Sequence, residues 1–300
     1  MRKILVLRGG ALGDFIVTLP TLALLRRRWP EARIELVGNA RAAELARARG
    51  LIDAVHSQHE ARWSALFWGA PLTEPMATWL TSFDLVLNYW PDPDADLPRH
   101  FPRRTDQVFL TWPAMPTLAP AAAHYAAALR AFDLGDAAPW FPLQPLASDA
   151  AVARISPIGV ALHPGSGSAR KNWPLERWRE VTVALPGPIT VILGEAELET
   201  RGPALTALLT DPRVVPAINL RLETLVAQLA RCALFLGHDS GISHLAAATG
   251  IPCLLLFGPT DPSLWAPPAS TVRVLRRGPE MAAIAVEDVR AELQSLRPSV

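Results

Sequence analysis

Residues 3–14 read Lys3-Ile4-Leu5-Val6-Leu7-Arg8-Gly9-Gly10-Ala11-Leu12-Gly13-Asp14, and this stretch decides the fold class. The continuous apolar run Ile4–Leu7 is typical of a strand in a parallel sheet. Three glycines in five residues then form a tight turn, and a helix is predicted from Phe15 to about Arg28, ending before Trp29-Pro30. The stretch therefore predicts a strand, a glycine turn and a helix, which is the repeating unit of an α/β protein.

The same alternation recurs along the chain. Further strands are predicted at Ile34–Val37, Phe83–Leu87, Ile158–Leu162, Ile189–Leu193, Leu234–Leu236 and Cys253–Phe257. Further helices are predicted at Arg41–Arg49, Ala121–Phe132, Leu175–Leu185, Leu222–Arg231, Ile242–Ala248 and Val286–Leu296. Because parallel strands need crossover helices between them, this order predicts doubly wound parallel sheets.

Two proline-rich stretches interrupt the alternation. Residues 89–120 hold seven prolines without periodicity, and we expect a lid, a binding loop or a misread element there. The stretch Pro139–Pro145 is interpreted as a linker between domains. We therefore expect one domain over residues 1–145 and a second over residues 146–300, with ligands bound at the carboxyl ends of strands in the cleft between them.

The composition is that of a folded globular protein of 300 residues. Half of the residues are hydrophobic and 19% are charged, which excludes a disordered chain. A formal net charge of +1 gives no overall field for nucleic acid, and two cysteines cannot build a disulfide framework or a zinc ribbon. The amino terminus lacks a signal-peptide pattern, and the longest apolar run, Ile251–Phe257, is too short to cross a membrane. A cytoplasmic protein is expected.

The glycine turn before Asp14 differs from a dinucleotide-binding fingerprint. Gly9, Gly10 and Gly13 lack the G-x-G-x-x-G spacing, and no acidic residue ends the second strand to hold a ribose. A nicotinamide oxidoreductase is therefore disfavoured. Asp14 stands at a predicted helix start, where aspartate is favoured as an N-cap. A second hypothesis is a general base whose carboxylate points into the cleft, and the two roles can coexist.

A polar loop follows the strand predicted at Ile158–Leu162, with the sequence His163-Pro164-Gly165-Ser166-Gly167-Ser168-Ala169-Arg170-Lys171-Asn172-Trp173-Pro174. Its glycines and serines place N–H groups and hydroxyls at a helix amino terminus, which favours an anion. Lys171, one of two lysines beside 27 arginines, adds a compact charge suited to phosphate. The Walker spacing is absent, so a phosphate site of another kind is favoured over a flexible connector. His163 is interpreted as a packing residue.

A second turn of this kind reads Gly237-His238-Asp239-Ser240-Gly241-Ile242-Ser243-His244. Asp239 or Ser240 caps the next helix, and Gly241 allows a ligand to approach the backbone closely. A hydrolytic set with His244 is disfavoured because the G-x-S-x-G elbow is absent, so His244 is interpreted as core-facing. The turn Gly258–Pro262 fits ordinary turn chemistry or a wall of the site. No motif of metal ligands is present in the sequence.

Together these motifs resemble glycosyltransferase family 9, the ADP-heptose:lipopolysaccharide heptosyltransferases. The resemblance rests on Arg8–Asp14 with Thr18-Leu19-Pro20, on His163–Pro174, on Asp239–Ala248 and on Phe257–Thr260. It implies a GT-B architecture of two Rossmann-like domains, in which residues 1–145 form the acceptor side and residues 146–300 bind the nucleotide sugar. It also implies an inverting transfer from ADP-heptose that needs neither a metal nor a cofactor.

The resemblance also implies roles for individual residues. Asp14 would be the catalytic base, and Lys171 would hold the departing diphosphate. Arg62 resembles a basic contact to the acceptor, and further arginines at 99, 103 and 104 would serve an anionic acceptor or be ordinary solvated charges. The donor-binding residues would be Ser166, Gly167, Lys171, Glu197, Asp239, Ser240, Gly241 and His244, with Glu195 competing with Glu197 for the nucleoside.

The acceptor half departs from the family pattern, because Asn88-Tyr89-Trp90 stands where an acidic residue is usual. The expected partners are a nucleotide-sugar donor and a glycan or glycolipid acceptor, by default a lipopolysaccharide core sugar, and no nucleic acid. Residues such as Arg62, Trp63, Phe67 and Trp68 fit peripheral contact with the inner membrane, and the tryptophans fit core and interdomain packing equally well. The alternatives are another nucleotide-sugar donor, a soluble acceptor, or a catalytically silent scaffold that binds nucleotide sugars.

Overall fold

A computed structural model describes residues 1–134, 140–146, 159–194, 197–198 and 205–296. The chain divides into two compact units, Met1–Phe141 and Pro142–Val300. The predicted α/β class is confirmed, because each unit is built on a sheet whose strand pairs are all parallel.

The first unit holds a five-stranded sheet among its described residues. Its strands are β1 (Lys3–Arg8), β2 (Arg33–Gly38), β3 (Ala54–Ser57), β4 (Leu85–Asn88) and β5 (Val108–Thr111), in the spatial order β3-β2-β1-β4-β5. Ile4 pairs with Ile34 on one side and with Leu85 on the other. The whole run Ile4–Leu7 is buried, as expected for a central strand covered on both faces.

The helices of the first unit are short. They are α1 (Leu12–Ile16), α2 (Leu19–Arg28), α3 (Ala40–Arg47), α4 (Ala65–Trp68), α5 (Glu74–Thr81), α6 (Asp96–His100) and α7 (Ala121–Ala126), the last continued by a 3₁₀ turn over Ala127–Phe132.

The continuous helix predicted from Phe15 to Arg28 is wrong. The first helix begins at Leu12, and the helix is interrupted at Val17–Thr18 before α2 begins. Pro20 explains the break, since it has no N–H to donate to the carbonyl of Ile16 and continue the helix.

The proline-rich stretch 89–120 is a misread element rather than an unstructured lid. It contains α6 and the edge strand β5, in which Val108 pairs with Leu85 of β4.

The second unit holds a six-stranded sheet among its described residues. Its strands are β6 (Val160–His163), β7 (Ile189–Leu193), β8 (Val214–Ile218), β9 (Leu234–His238), β10 (Cys253–Phe257) and β11 (Val272–Arg276), in the order β11-β10-β9-β6-β7-β8. Ile158, where the first of these strands was predicted to begin, lies outside the described residues.

The helices of the second unit are α8 (Leu175–Ala184), α9 (Leu222–Leu229), α10 (Gly241–Ala248), α11 (Pro262–Trp265) and α12 (Val286–Leu296). Its core is built from the inner residues of β6, β7, β9 and β10 with Trp173 and Trp178, both fully buried. This rigid core holds the strand ends from which the polar loops emerge. Within the described part of the chain, no helix has the length and apolar character needed to span a bilayer.

Candidate functional site

The polar loops of the second unit leave three neighbouring strands at the same edge of the sheet. Strands β6, β9 and β10 are adjacent, with His163 paired to Gly237 and Leu256 paired to His238. Because the strands are parallel, the segments that follow them emerge side by side at their carboxyl ends, where ligands bind in such sheets.

An ion pair joins the loop after β6 to the turn after β9. The Lys171 ammonium donates to Asp239 Oδ2 at 2.7 Å. The hydroxyl of Thr260, in the turn after β10, donates to the same carboxylate oxygen at 2.7 Å. The Asp239 side chain is 8% exposed and the Lys171 side chain 30%. Asp239 is therefore the buried partner of the pair, whereas the lysine side chain remains partly exposed to solvent.

Ser240 forms the amino-terminal cap of α10. Its Oγ accepts the backbone N–H of Ser243 at 3.3 Å and lies 3.2 Å from Nδ1 of His163. Gly241 is the first residue of this eight-residue helix, and His244 lies buried in its interior. The first turn of α10 thus carries backbone N–H groups and the positive end of a helix dipole. The interpretation of His244 as a buried residue agrees with its position.

Ser166 and Gly167 lie in the loop that leads to Lys171. Ser166 Oγ lies 2.9 Å from Asn172 Oδ1 and 2.8 Å from the carbonyl oxygen of Ser168, so its hydroxyl holds the loop together. A Cβ built on Gly167 would meet no atom within 4 Å. The backbone at this glycine therefore faces open space that a ligand can enter.

Glu197 is held beside His163 by the loop after β7. Its Oε2 accepts the backbone N–H of Gly194 at 2.8 Å, and its Oε1 lies 3.7 Å from His163 Nε2. A Cβ on Gly165 would lie 2.3 Å from Glu197 Cγ, so glycine is required there for the carboxylate to fit. Glu195, the competing candidate, lies outside the described residues.

Burial lowers the pKa of His163 to about 4, and the carboxylate of Glu197 only partly opposes this shift. The imidazole is therefore neutral near pH 7 and serves as a hydrogen-bonding partner of Ser240, which goes beyond the packing role assigned from sequence.

His238 is a structural residue of the site that the sequence analysis did not single out. It is fully buried at the end of β9. Its Nε2 accepts the backbone N–H of Trp173 at 2.9 Å, and its Nδ1 lies 3.3 Å from the carbonyl oxygen of Gly165. It thereby fixes both ends of the loop that carries Ser166, Gly167 and Lys171. The sequence feature that could have identified His238 is its position directly before Asp239.

Asp14, in the first unit, is the third residue of α1 and not its N-cap, which is Ala11. The carboxylate still caps the helix, because Oδ2 accepts the Ala11 N–H at 2.9 Å. Its Oδ1 lies 3.5 Å from the guanidinium of Arg8, and a third of the side chain is exposed. Asp14 therefore combines a capping bond with an exposed carboxylate, so the two roles weighed from sequence are compatible.

Arg8 fixes the segment around Asp14 from inside the unit. It is buried, donates to the Thr18 hydroxyl at 3.0 Å and to the backbone carbonyl of Asp14 at 3.1 Å, and lies 4.3 Å from the centre of the Tyr125 ring. These contacts hold the short helix that presents the Asp14 carboxylate.

An open pocket of about 470 Å³ lies beside this carboxylate. Gly10 lines the pocket, and a Cβ on Gly10 would lie 2.7 Å from Asp14 Oδ2. The φ angle of Gly10 is +105°, which a residue with a side chain rarely adopts. The backbone of Gly10, which carries no side chain, therefore lies between the pocket and the Asp14 carboxylate.

Arg62, expected as an acceptor contact, lines a different pocket of about 300 Å³ together with Trp79. Its Nε lies 2.9 Å from Glu60 Oε2, one of its NH groups lies 3.3 Å from His56 Nδ1, and it stacks 4.2 Å from the centre of the Trp63 ring. Arg62 is therefore not part of the lining of the pocket beside Asp14, but it contacts two residues of that lining, Glu60 and Trp63.

A buried network that the sequence did not indicate orients Arg62. Glu35 Oε2 lies 2.8 Å from His56 Nε2, and Oε1 accepts from Arg33 at 2.8 Å. The hydrogen bond with His56, followed by that with Arg33, lowers the pKa of Glu35 to about 2 against the opposing effect of burial. His56 thus contacts the Glu35 carboxylate through Nε2 and the Arg62 guanidinium through Nδ1.

The other arginines considered for an anionic acceptor have protein partners. Arg99 pairs with Asp96 at 2.7 Å, Arg104 pairs with Asp106 at 3.0 Å, and Arg103 lies 5.2 Å from the centre of the Phe109 ring. Among the residues that the structure describes, no group of three or more His, Cys, Asp and Glu side chains is arranged to hold a metal ion.

Comparisons with known proteins place these features in a family. The sequence model of "Glycosyltransferase family 9 (heptosyltransferase)" matches residues 118–293. Lipopolysaccharide heptosyltransferase 1 of Pseudomonas aeruginosa is 34% identical over 110 residues, which are 36% of this chain and 30% of that protein. Lipopolysaccharide heptosyltransferase 2 of Salmonella typhimurium is 30% identical over 139 residues, 44% of this chain and 39% of that protein. Each match thus spans less than half of the curated relative.

Solved structures extend the likeness along the chain at the level of the fold. A glycosyltransferase of family 9 from Veillonella parvula superposes with a TM-score of 0.76 at 20% identity, covering 98% of this chain and 97% of that one. The E. coli ADP-heptose heptosyltransferase II gives 0.74 at 19% identity, covering 98% of each chain. The E. coli heptosyltransferase WaaC with ADP gives 0.73 at 19% identity, covering 98% of this chain and all of that one.

The family model matches more than half of the chain, including Lys171, Asp239 and Ser240, and the fold agrees with that of heptosyltransferases over nearly its whole length. The protein therefore belongs to glycosyltransferase family 9, the heptosyltransferase family, and has the GT-B fold.

Proposed function

We propose that the protein transfers heptose from ADP-heptose to a hydroxyl of a lipopolysaccharide core or a related glycan. The observation that carries this proposal is the convergence of Lys171, Asp239, Thr260 and the first turn of α10 at the ends of three adjacent strands. Family membership and the names of the curated relatives support heptose as the sugar and a lipopolysaccharide as the acceptor.

The second unit would hold the diphosphate of the donor. An ammonium group has three donors, of which Lys171 uses one for Asp239. Backbone N–H groups at Ser240 and Gly241 add the positive end of the α10 dipole, and the open backbone of Gly167 allows close approach. A lysine and a helix terminus supply the charge that a departing diphosphate needs, which supports a transfer without a metal ion.

We assign further donor contacts to Ser166, Glu197 and His244. Glu197 is fixed by the Gly194 N–H with its second oxygen near neutral His163, so its carboxylate is available to accept from hydroxyls of a nucleoside. Ser166 would keep the phosphate loop in shape through its hydroxyl contacts, and His244 would support the helix whose first turn faces the phosphates.

In the proposed chemistry, Asp14 accepts the proton of the acceptor hydroxyl while the acceptor oxygen attacks the anomeric carbon. The bond from that carbon to the phosphate oxygen breaks, and its electron pair leaves with ADP. A single displacement of this kind inverts the anomeric centre. The third of the Asp14 side chain that is exposed supports the role, beside the cap to Ala11 and the contact with the Arg8 guanidinium at 3.5 Å.

We place the acceptor in the first unit, in the pocket lined by Gly10. Arg62 would then act at the rim, because it faces the neighbouring pocket and is held by Glu60 and His56. Peripheral contact with the inner membrane would involve Trp68 at the end of α4, which is 84% exposed. Trp63, named with it from sequence, is buried, so it does not belong to such a surface.

The test is a direct assay of transfer combined with nucleotide binding. Titration calorimetry with ADP, UDP, GDP and dTDP should show the tightest binding for ADP, and ADP-heptose with a lipopolysaccharide core acceptor should yield ADP. The two lysines of the chain give a matched pair of variants. Lys171→Ala should weaken ADP binding by about 10- to 100-fold, the loss expected for a charge-assisted hydrogen bond.

Lys3→Ala is the control, because Lys3 lies in β1 and its ammonium is 3.4 Å from the Ser82 hydroxyl. Equal loss in both variants would contradict the assignment of Lys171. Tighter binding of another nucleotide would keep the glycosyltransferase and discard ADP-heptose, and no binding of any nucleotide would contradict the proposal as a whole.

A further inference from the structure

The pocket beside Asp14 is assembled by the segments that follow three parallel strands of the first sheet. Gly10 follows β1, Gln58 follows β3 and Trp90 follows β4. A Cβ built on Gly9 would lie 3.2 Å from Gln58 Oε1 and 3.3 Å from Trp90 Nε1, so these two side chains close on the glycine turn. The pocket thus has a fixed base formed by strand ends and not by a long loop.

Its walls combine flat aromatic faces with polar edges. The rings of Phe67 and Trp90 are stacked with centroids 5.9 Å apart and an angle of 24° between their planes. Trp63 is anchored by its indole N–H, which donates to the Ser57 carbonyl at 2.7 Å. Aromatic faces accept the C–H groups of a sugar ring, while polar groups at the edge orient its hydroxyls.

Gln58 supplies one such polar group. Its amide oxygen is buried and accepts no hydrogen bond from the residues that the structure describes. An unsatisfied buried acceptor is costly, so a small rotation of this amide toward a hydroxyl in the pocket would be favourable.

The charge of the pocket decides which kind of sugar fits. Neither lysine nor arginine occurs among the described residues that line it. Glu60 is the acidic residue of the lining, and both of its oxygens are engaged, by Arg62 at 2.9 Å and by the Ser57 N–H at 2.9 Å. The carboxylate of Asp14 lies directly behind Gly10. Both carboxylates are paired with arginines that lie outside this lining, Glu60 with Arg62 and Asp14 with Arg8. An anionic sugar would therefore find no lysine or arginine of the lining to compensate for its lost hydration.

We propose that this pocket selects an uncharged sugar ring as the acceptor, packed against Phe67, behind which the buried Trp90 is stacked, and hydrogen-bonded by Gln58. The inference rests on the proposed function, because it gives the acceptor of that transfer its chemical class. Acidic sugars are excluded from the pocket itself, and any anionic group of a larger acceptor would be held outside it.

The experiment compares matched neutral and acidic sugars on the full chain saturated with ADP. The probes are methyl glucopyranoside, mannopyranoside and galactopyranoside, each beside the corresponding methyl uronoside, and binding is followed by saturation-transfer-difference NMR. We expect at least one neutral glycoside to bind at least tenfold more tightly than its uronoside, with the ring C–H groups receiving the strongest transfer.

Three variants outside the buried core test whether the glycoside binds in this pocket. Gln58→Ala should weaken the neutral glycoside by about five- to tenfold, the loss of one hydrogen bond. Ser64→Lys adds a cation at an exposed position of the lining. It should reduce or reverse the preference for the neutral glycoside over its uronoside. Trp68→Ala is the matched control, because Trp68 is exposed on the same helix as Phe67 but does not line the pocket.

Two results would overturn the inference. One is binding of a uronoside as tight as that of its neutral partner, and the other is the absence of any glycoside binding by a chain that still binds ADP. Failure to bind ADP would instead contradict the proposed function, and the ratio of neutral to acidic binding would still be measured separately.

Discussion

The ion pair between Lys171 and Asp239 allows stability and donor binding to be separated by one set of variants. Lys171→Met removes the ammonium but keeps most of the side-chain volume. It leaves the Asp239 carboxylate, of which 8% is exposed, with the Thr260 hydroxyl as its remaining donor among the contacts described above. Asp239→Asn removes the negative charge instead, and the double variant removes both charges.

The magnitude follows from burial. Removing one partner of a fully buried pair costs about 3–5 kcal/mol, because the other charge is left uncompensated. Here the lysine side is 30% exposed and Thr260 still donates at 2.7 Å, so we expect about 2–3 kcal/mol for Lys171→Met. For a unit of this size that loss lowers the Tm by about 5–10 °C.

The other two variants should differ from this result. Asp239→Asn leaves a lysine that water can still reach, so about 1 kcal/mol is expected. The double variant has no uncompensated charge and should be about as stable as Asp239→Asn alone, which makes the coupling between the two sites about 2–3 kcal/mol.

Denaturant unfolding and ADP titration of the same four proteins make the assay. The free energy of unfolding should be higher in the double variant than in Lys171→Met. The ADP affinity should not be higher, because an asparagine restores no positive charge for the diphosphate. Additive losses of stability, or a Lys171→Met protein that melts within about 1 °C of the wild type, would refute the reasoning. Recovery of ADP affinity in the double variant would refute the assignment of Lys171 to the phosphates.

Three further predictions concern other residues of the candidate sites. Asp14→Asn should lower kcat by about 10²- to 10⁴-fold, as for loss of a general base, while the amide oxygen still caps the helix and the Tm changes little. His163 has a folded pKa of about 4, below its unfolded value, so the unfolded state binds more protons between pH 4 and 6.5. The free energy of unfolding should therefore fall by up to about 1.4 kcal/mol per pH unit as the pH drops through that window. Gly165→Ala should displace Glu197 and lower both Tm and ADP affinity, whereas Gly167→Ala, which meets open space, should weaken ADP binding at unchanged Tm.

Each of these predictions has its own control. Wild-type turnover by Asp14→Asn would remove that residue from the chemistry. The acid-dependent loss of stability should disappear in His163→Gln and persist in His59→Gln, since His59 is exposed. A persistent loss in both variants would assign the effect to other groups. Equal Tm values for the two glycine variants would contradict the close packing of Glu197 against Gly165.

The sequence was sufficient to predict the centre of each sheet but not its edges. The predicted strands correspond to β1, β2 and β4 in the first unit and to β6, β7, β9 and β10 in the second. The missed strands, β3, β5, β8 and β11, are the edge strands of the two sheets as the described residues form them. A central strand is buried on both faces and reads as a continuous apolar run, as in Cys253–Phe257.

An edge strand has fewer neighbours to cover it. Strand β8 has three exposed residues, one of which is Pro216, and two of the five residues of β11 are arginines. Proline and charge are tolerated at an edge because one row of N–H groups there has no partner strand. The pattern that identifies a buried strand is therefore weak where the sheet ends.

The same limit applies to the candidate site. Local spacing in the sequence was enough to single out Lys171 and Asp239, because each stands in a glycine-containing turn between a strand and a helix. The contacts of His238 with Trp173 and Gly165 cross between two strands. The position of Arg62 depends on His56 and, through it, on Glu35. Such contacts depend on which strands become neighbours, and periodicity along the chain does not contain that information.

The two candidate sites present different charged groups, and the proposed reaction gives a reason for the difference. The donor loops of the second unit present an ammonium and helix N–H groups, since a departing diphosphate gains negative charge as its bond breaks. The pocket of the first unit presents no cation among its described lining, and the Asp14 carboxylate stands behind Gly10. The arginine beside this carboxylate, Arg8, is already engaged with it at 3.5 Å, so an anionic acceptor would find no lysine or arginine in the lining to hold its charge. A neutral sugar needs no such partner, and the absence of lysine and arginine from this lining therefore favours an uncharged acceptor.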